Sequence, residues 1–273
     1  MQIHSPTPRA LFQSIFKNRY LIWSLAQRDV VSRYRGSILG FAWSFANPLL
    51  MLAVYTFVFS VVFQARWGTA RIGPKAEFAL LLFAGLIVFN AFSEILSRAP
   101  TAVSSNPSYV KKVVFPLECL DLALLCSTLI QMLISLTVWL SAYVAFVGIP
   151  HATILFLPFA LIPYALFLAG IAWILSSLGV FIRDTPQVTA VIISVTMFLS
   201  PLFYPVDALP KQYQQLLLLN PLAVYMQSFR DLLYFGRLPQ PASFILNLLV
   251  AGLVAVLGFA WFQKTRKGFA DVL

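Results

Sequence analysis

Long uncharged runs alternate with short charged clusters along the chain. No charge falls between Arg35 and Arg66, a run of 30 residues, nor in the 16 residues between Glu77 and Glu94, after which the helical pattern continues to Arg98. Between Asp121 and Arg183 lie 61 uncharged residues, far more than the roughly 20 that one helix needs to cross a bilayer. Gly148-Ile149-Pro150-His151 supplies a turn that divides this run. Two further runs, of 22 residues before Asp207 and 26 before Lys264, complete the pattern. It predicts an all-α integral membrane fold with six transmembrane helices, at about 38–64, 78–98, 119–147, 153–182, 187–204 and 243–262.

Three segments between the runs have their own character. Over residues 10–35, Phe12, Ile15, Phe16, Ile22, Trp23, Ala26, Val30 and Tyr34 recur along one helical face, and Lys17, Ser24, Gln27, Arg28, Ser32 and Arg35 along another. This predicts an amphipathic helix lying in the membrane interface, within which Asp29 and Arg33 form an i,i+4 pair of favourable order. Residues 1–36 are thus expected as a cytoplasmic interface helix and 37–273 as the six-span domain. The loop from Asn106 to Glu118 is short and held between Pro107 and Pro116. The segment 205–242 carries Pro205, Pro210 and Asn220-Pro221 around an apolar stretch too short to span. It predicts short outer gate helices that dip into the membrane or cap an opening.

Composition sharpens this picture. Hydrophobic residues make up 60% of the 273 positions and charged ones only 10%, against about 25% charged in a soluble domain. The net charge of +10 is scattered, without the basic stripe that nucleic acid requires. It reads instead as topology: with both termini inside, thirteen lysines and arginines fall in inner segments and six in outer ones. The first apolar run starts only near Ile38, so the N-terminus is expected to be kept rather than cleaved as a signal. Cys119 and Cys126, seven residues apart on one helix, would hold their Cα atoms roughly 10 Å apart, too far for a disulfide.

Several chemistries are missing. There is no G-x-x-x-x-G-K-[ST] loop for ATP and no G-x-S-x-G elbow, and His4 and His151 have no metal-ligand spacing. Glu94, Glu118 and Asp121 fall near span ends, whereas ion-driven carriers keep ionisable groups mid-membrane. The chain alone is therefore expected not to be an enzyme, and to hold no cofactor or metal. Energy for any transport would come from a partner on the cytoplasmic side. Aromatics number 41. Tyr55, Phe59 and Phe63 recur on one face at i, i+4 and i+8, and with Phe198, Phe203 and Tyr204 they are candidates for a conduit that stacks on sugar rings. A helix–helix seam would show the same spacing.

Arg28-Asp-x-x-x-Arg33-Tyr34-Arg35-x-Ser37-x-Leu39-Gly40-x-x-Trp43, followed by Pro48-Leu49, resembles the opening of type-2 ABC transporter permeases that export polysaccharides. Lys111-Lys112-Val-Val-Phe115-Pro116-Leu-Glu118, Pro201-Leu-Phe-Tyr204-Pro205, Asn220-Pro221-Leu222 and the C-terminal Lys264-x-Arg266-Lys267-x-Phe269 are similar to later parts of the same family, in order. The resemblance implies a homodimer joined to two separate ATPase subunits that bind ATP and Mg. It also implies a wide channel walled by spans one and five, in a bacterial inner membrane with both termini cytoplasmic.

The implied cargo is an undecaprenyl-linked glycan. O-antigen, capsule and teichoic-acid precursors stay open, with the Arg-Tyr-Arg and Phe-Pro motifs leaning towards O-antigen. Tyr109, Lys111, Lys112, Phe115, Pro116, Arg183 and Asp184 are the implied ATPase-coupling contacts. Arg28, Arg33, Tyr34 and Arg35 sit at headgroup depth and meet the pyrophosphate, the ATPase or lipid. The alternative function is a type-2 permease for a small hydrophobic compound or haem. A membrane-bound transferase would need an acid or histidine cluster that the sequence does not complete.

Overall fold

The computed structural model describes residues 8–58, 74–111, 115–217 and 220–273, and these are predominantly helical, without a strand. The N-terminal segment forms α1 (Pro8–Lys17) and α2 (Arg19–Tyr34) rather than one continuous helix. The break is Asn18, whose amide donates to the Ser14 carbonyl at 3.0 Å and competes with the helical ladder. Gly36 then takes a left-handed φ of 84° and turns the chain into α3 (Trp43–Tyr55).

Next come α4 (Pro74–Ala102), the one-turn α5 (Pro107–Val110), α6 (Glu118–Phe146), α7 (Leu157–Phe181) and α8 (Thr185–Leu199). Two short helices, α9 (Lys211–Leu217) and α10 (Pro221–Arg230), follow. A π turn, Asp231–Phe235, leads on to α11 (Pro241–Thr265) and α12 (Phe269–Val272). The turn anticipated at Gly148 separates α6 from α7, with Gly148 at φ 110°.

Among the described residues, five helical segments are long and apolar enough to cross a membrane: 40–58, 76–102, 118–146, 152–181 and 241–272. The remaining expected span is α8, apolar but only 15 residues long. It stops at Ser200 because the backbone turns extended there, ahead of Pro201. Residues 187–204 therefore do not form one helix as anticipated.

α4 is the hub. Its residues from Leu80 to Phe89 are all buried, and it packs on α6, α7, α8 and α10. α7 and α11 cross closely. A Cβ on Gly170 would lie 2.6 Å from the Val254 carbonyl carbon, and one on Gly258 2.9 Å from the Gly170 carbonyl carbon. Only glycine lets these two backbones approach so nearly. Two buried ring donors inside the bundle are satisfied by backbone carbonyls: Trp139 by Leu80 at 2.8 Å and Tyr164 by Val88 at 2.6 Å. α3 packs mainly on α6 and leaves Leu49, Leu50, Met51 and Val54 exposed. α8 is similar, exposing Val188, Val191, Ile192, Val195 and Phe198.

Candidate functional site

One end of the bundle gathers the charge. α2 lies on the first half of α6 and turns Ile22 and Ala26 inward, while Tyr20, Trp23 and Val31 face out. The apolar face expected of this helix is thus divided between protein and surroundings. Below Ala26 on the inward side, Asp29 and Arg33 meet the last turns of α4. Asp29 accepts from Arg98 at 2.5 and 3.0 Å and from Arg33 at 2.9 Å. Glu94 pairs with Arg98 at 3.0 Å and also with Arg33, and Arg33 reaches the Ser127 hydroxyl at 3.0 Å. Burial pushes the Asp29 carboxyl up, but the hydrogen bonds of Arg98, Arg33 and Ser127 outweigh it and hold the group well below the usual carboxylate range.

Tyr34 donates to Gln131 on α6 at 3.1 Å, and Gln131 in turn donates to the Ser44 carbonyl on α3 at 3.1 Å. Arg28 contacts the Tyr109 hydroxyl at 3.4 Å, and Arg35 is exposed. A cavity of about 350 Å³ opens between α2, the end of α4 and the segment after it, lined by Arg28, Asp29, Arg98, Thr101, Ser105 and Asn106. A shallower groove of about 610 Å³ runs along α2 past Trp23, Gln27, Val31 and Arg35.

The loop expected to couple to an ATPase lies at the same end. Tyr109 stacks on Phe115 with centroids 4.3 Å apart and planes 15° from parallel. Arg266 of the C-terminal segment donates to the Phe115 carbonyl at 2.6 Å and to Glu118 at 2.9 Å. Ser14 of α1 donates to the other Glu118 oxygen at 2.8 Å. Both terminal segments therefore brace the base of this loop. Lys111 is exposed, Pro116 is half-buried, and Arg183 and Asp184, between α7 and α8, are exposed. Lys112 lies outside the described residues.

The far end carries the aromatic group. Tyr55 at the end of α3 meets Phe203 at 6.1 Å, and Phe203 meets Phe198 at 6.5 Å. The Tyr204 hydroxyl donates to the Phe198 carbonyl at 3.4 Å, and burial pushes the Tyr204 phenol up. Four of the six candidate conduit residues thus come together where α3 meets the end of α8. Phe59 and Phe63 lie outside the described residues.

Arg230, at the end of α10, is buried beside this group and donates to the carbonyls of Leu81, Pro201 and Leu202. Burial pulls its pKa down to about 9 while Asp231 pulls the other way, so it stays a cation at neutral pH. Among the described residues, no three histidine, cysteine, aspartate or glutamate side chains gather as metal ligands.

Residues 20–234 match the sequence profile of the ABC-2 type transporter family, a stretch that contains nearly all of α2, the loop between Asn106 and Glu118, both aromatic segments and α10. The chain belongs to this family. Along nearly its whole length it is similar to the O-antigen export system permease protein of Myxococcus xanthus, 27% identical over 96% of this chain and 98% of that protein. The polysialic acid transport protein of Escherichia coli is 24% identical over 89% and 92%. The capsule polysaccharide export inner-membrane protein of Neisseria meningitidis serogroup B is 25% identical over 95% and 96%.

Three groups that organise this transporter chain escaped the sequence reading. Glu94 and Arg98 were legible as an i,i+4 pair at a span end, but their meeting with Asp29, some 69 positions distant, was not. Arg266 and Glu118 stand in two of the family-like motifs, but their pairing, 148 positions apart, was not legible. Arg230 figured only as one of the six outer lysines and arginines, next to Asp231.

Proposed function

We propose that this chain is the membrane subunit of an ATP-driven exporter that moves a lipid-linked surface glycan, O-antigen-like or related, across the bacterial inner membrane. The observation that carries the reading is its end-to-end likeness to permeases named for export of several surface glycans. The small hydrophobic compound or haem alternative has no such support.

In this reading a second copy completes the channel. α3 and α8 leave their apolar faces outward from the single chain, as two helices must if they wall a pathway against a partner copy or lipid. The short α8 counts as the fifth of six spans. In this reading the basic end faces the cytoplasm: Ser14 and Arg266 meet on one glutamate, so both terminal segments share an end of the bundle, and the lysine and arginine bias supports the inward direction. Two separate ATPase subunits, which bind ATP and Mg, dock on Tyr109, Lys111, Lys112, Phe115 and Pro116, with Arg183 and Asp184 as a second contact. Arg33 and Tyr34 hold α2 to the bundle, leaving Arg28 and Arg35 to meet an undecaprenyl pyrophosphate headgroup. α9, α10 and the turns around them form the outer gate.

The test is co-expression with the ATPase encoded beside it. The two chains co-purify, and lipid-linked glycan raises ATP hydrolysis. A permease that purifies alone, or a complex stimulated only by small hydrophobic compounds, would overturn the reading.

A further inference from the structure

We propose that Arg230 is the positioning residue of the outer gate. It fastens α10 and its π turn to α4 and to the bend ending α8, so that wall helix and gate move as one body. This rests on the reading of residues 201–235 as the gate of a glycan exporter.

Arg230 is 1% exposed. Its Nε donates to the Leu81 carbonyl on α4 at 3.0 Å, and its Nη1 and Nη2 donate to the Pro201 and Leu202 carbonyls at 2.6 and 3.0 Å. Pro201 and Leu202 lie just past α8, where the extended backbone at Ser200 ends the helical ladder; the guanidinium supplies donors to the carbonyls that follow.

A second tie joins the same two pieces. Asn220, capping α10 through Leu222 N at 3.0 Å, also donates to the Ser200 hydroxyl at 2.9 Å. α10 is therefore pinned to the end of α8 at both of its own ends. The opposite wall of the slot is Gly85 of α4, where a Cβ would lie 2.6 Å from the Arg230 Nη2 and 3.1 Å from Leu202 Cδ1. A methyl group at position 85 would push the guanidinium out of this position.

Burying a cation costs free energy that packing alone would not demand. What the charge supplies is a planar fork reaching three carbonyls on two elements, which a lysine ammonium cannot span. The bend it holds carries Phe203 and Tyr204, so the fork also sets the register of the aromatic group against Phe198 and Tyr55.

The experiment compares Arg230→Lys and Gly85→Ala with wild type in the complex with its ATPase. Gly85→Ala displaces the guanidinium without removing it. In both variants ATP hydrolysis per folded complex stays within about twofold, while glycan export falls about tenfold, so ATP used per glycan rises. Nitroxide labels at Val195→Cys and Leu238→Cys report a narrow distance distribution through ATP turnover in wild type and a broadened one in both variants.

Export per folded complex at the wild-type level overturns the proposal. So does a parallel loss of hydrolysis and export, which marks a merely structural role, or an unbroadened distance in the variants. The label distances need no glycan: a wild-type complex that exports none defeats the exporter reading, and the distances still decide whether Arg230 joins the two elements.

Discussion

Asp29 accepts from arginines on two helices, Arg33 on its own and Arg98 on α4, and Glu94 faces both. Removing one carboxylate from such a set leaves a half-buried guanidinium short of a partner. Asp29→Asn is therefore expected to lower stability by about 1–2 kcal/mol, the size of a partly exposed charged hydrogen bond, read as a drop of a few degrees in the melting midpoint of the detergent-solubilised protein. The pH dependence has a definite sign. The folded carboxyl titrates below its ordinary value of 3.8, so the unfolded chain takes up the proton first. The stabilisation is fully present above about pH 5 and is lost as pH falls towards the folded pKa. Wild type should lose midpoint between about pH 5 and 3, and Asp29→Asn should flatten that slope; equal slopes would place the acid sensitivity elsewhere.

At the scale of elements, the close crossing of α7 and α11 depends on Gly170 and Gly258. Gly258→Leu drives a side chain into the Gly170 backbone. It should cost about 3 kcal/mol or more, measured as lost folded yield and a lower midpoint, whereas Gly252→Leu, with open space around its Cβ position, should be tolerated. The meeting of α3 with the end of α8 is different in kind, because its aromatics are only partly covered. Tyr55→Ala with Phe203→Ala is expected to lower glycan export several-fold, in the range for lost aromatic contacts, while ATPase association is unchanged. Unaltered export would make the group a packing seam.

For the molecule as a whole, charge is polarised between the two ends, and the loop from Pro107 to Pro116 sits where both terminal segments converge. Phe115 is tied to Arg266 just past α11, Glu118 of α6 takes the same guanidinium, and Tyr109 touches both Phe115 and Arg28 of α2. Reversing its exposed charge should weaken docking without unfolding the chain. Lys111→Glu with Lys112→Glu is predicted to lower the yield of ATPase complex at least several-fold, by unfavourable charge across an interface, with the permease's own midpoint unchanged. Normal complex yield would remove these lysines from the docking surface.

Hydrophobic periodicity and charge gaps by themselves determined the membrane class, five of the expected spans and the turn at Gly148, because each depends on local composition and on the length a bilayer demands. They marked out the proline-bounded loop from Asn106 to Glu118 and the aromatic segments, and showed Asp29 and Arg33 as a pair. Tertiary structure alone decided the rest. It split the N-terminal helix at Asn18, turned one side of α2 onto α6, shortened α8 at Ser200, and set Arg98, Arg266 and Arg230 on partners in distant segments. A charge near a span end reads as orientation until folding shows what it faces. Pairing across dozens of residues is fixed by helix packing, and no local pattern encodes it.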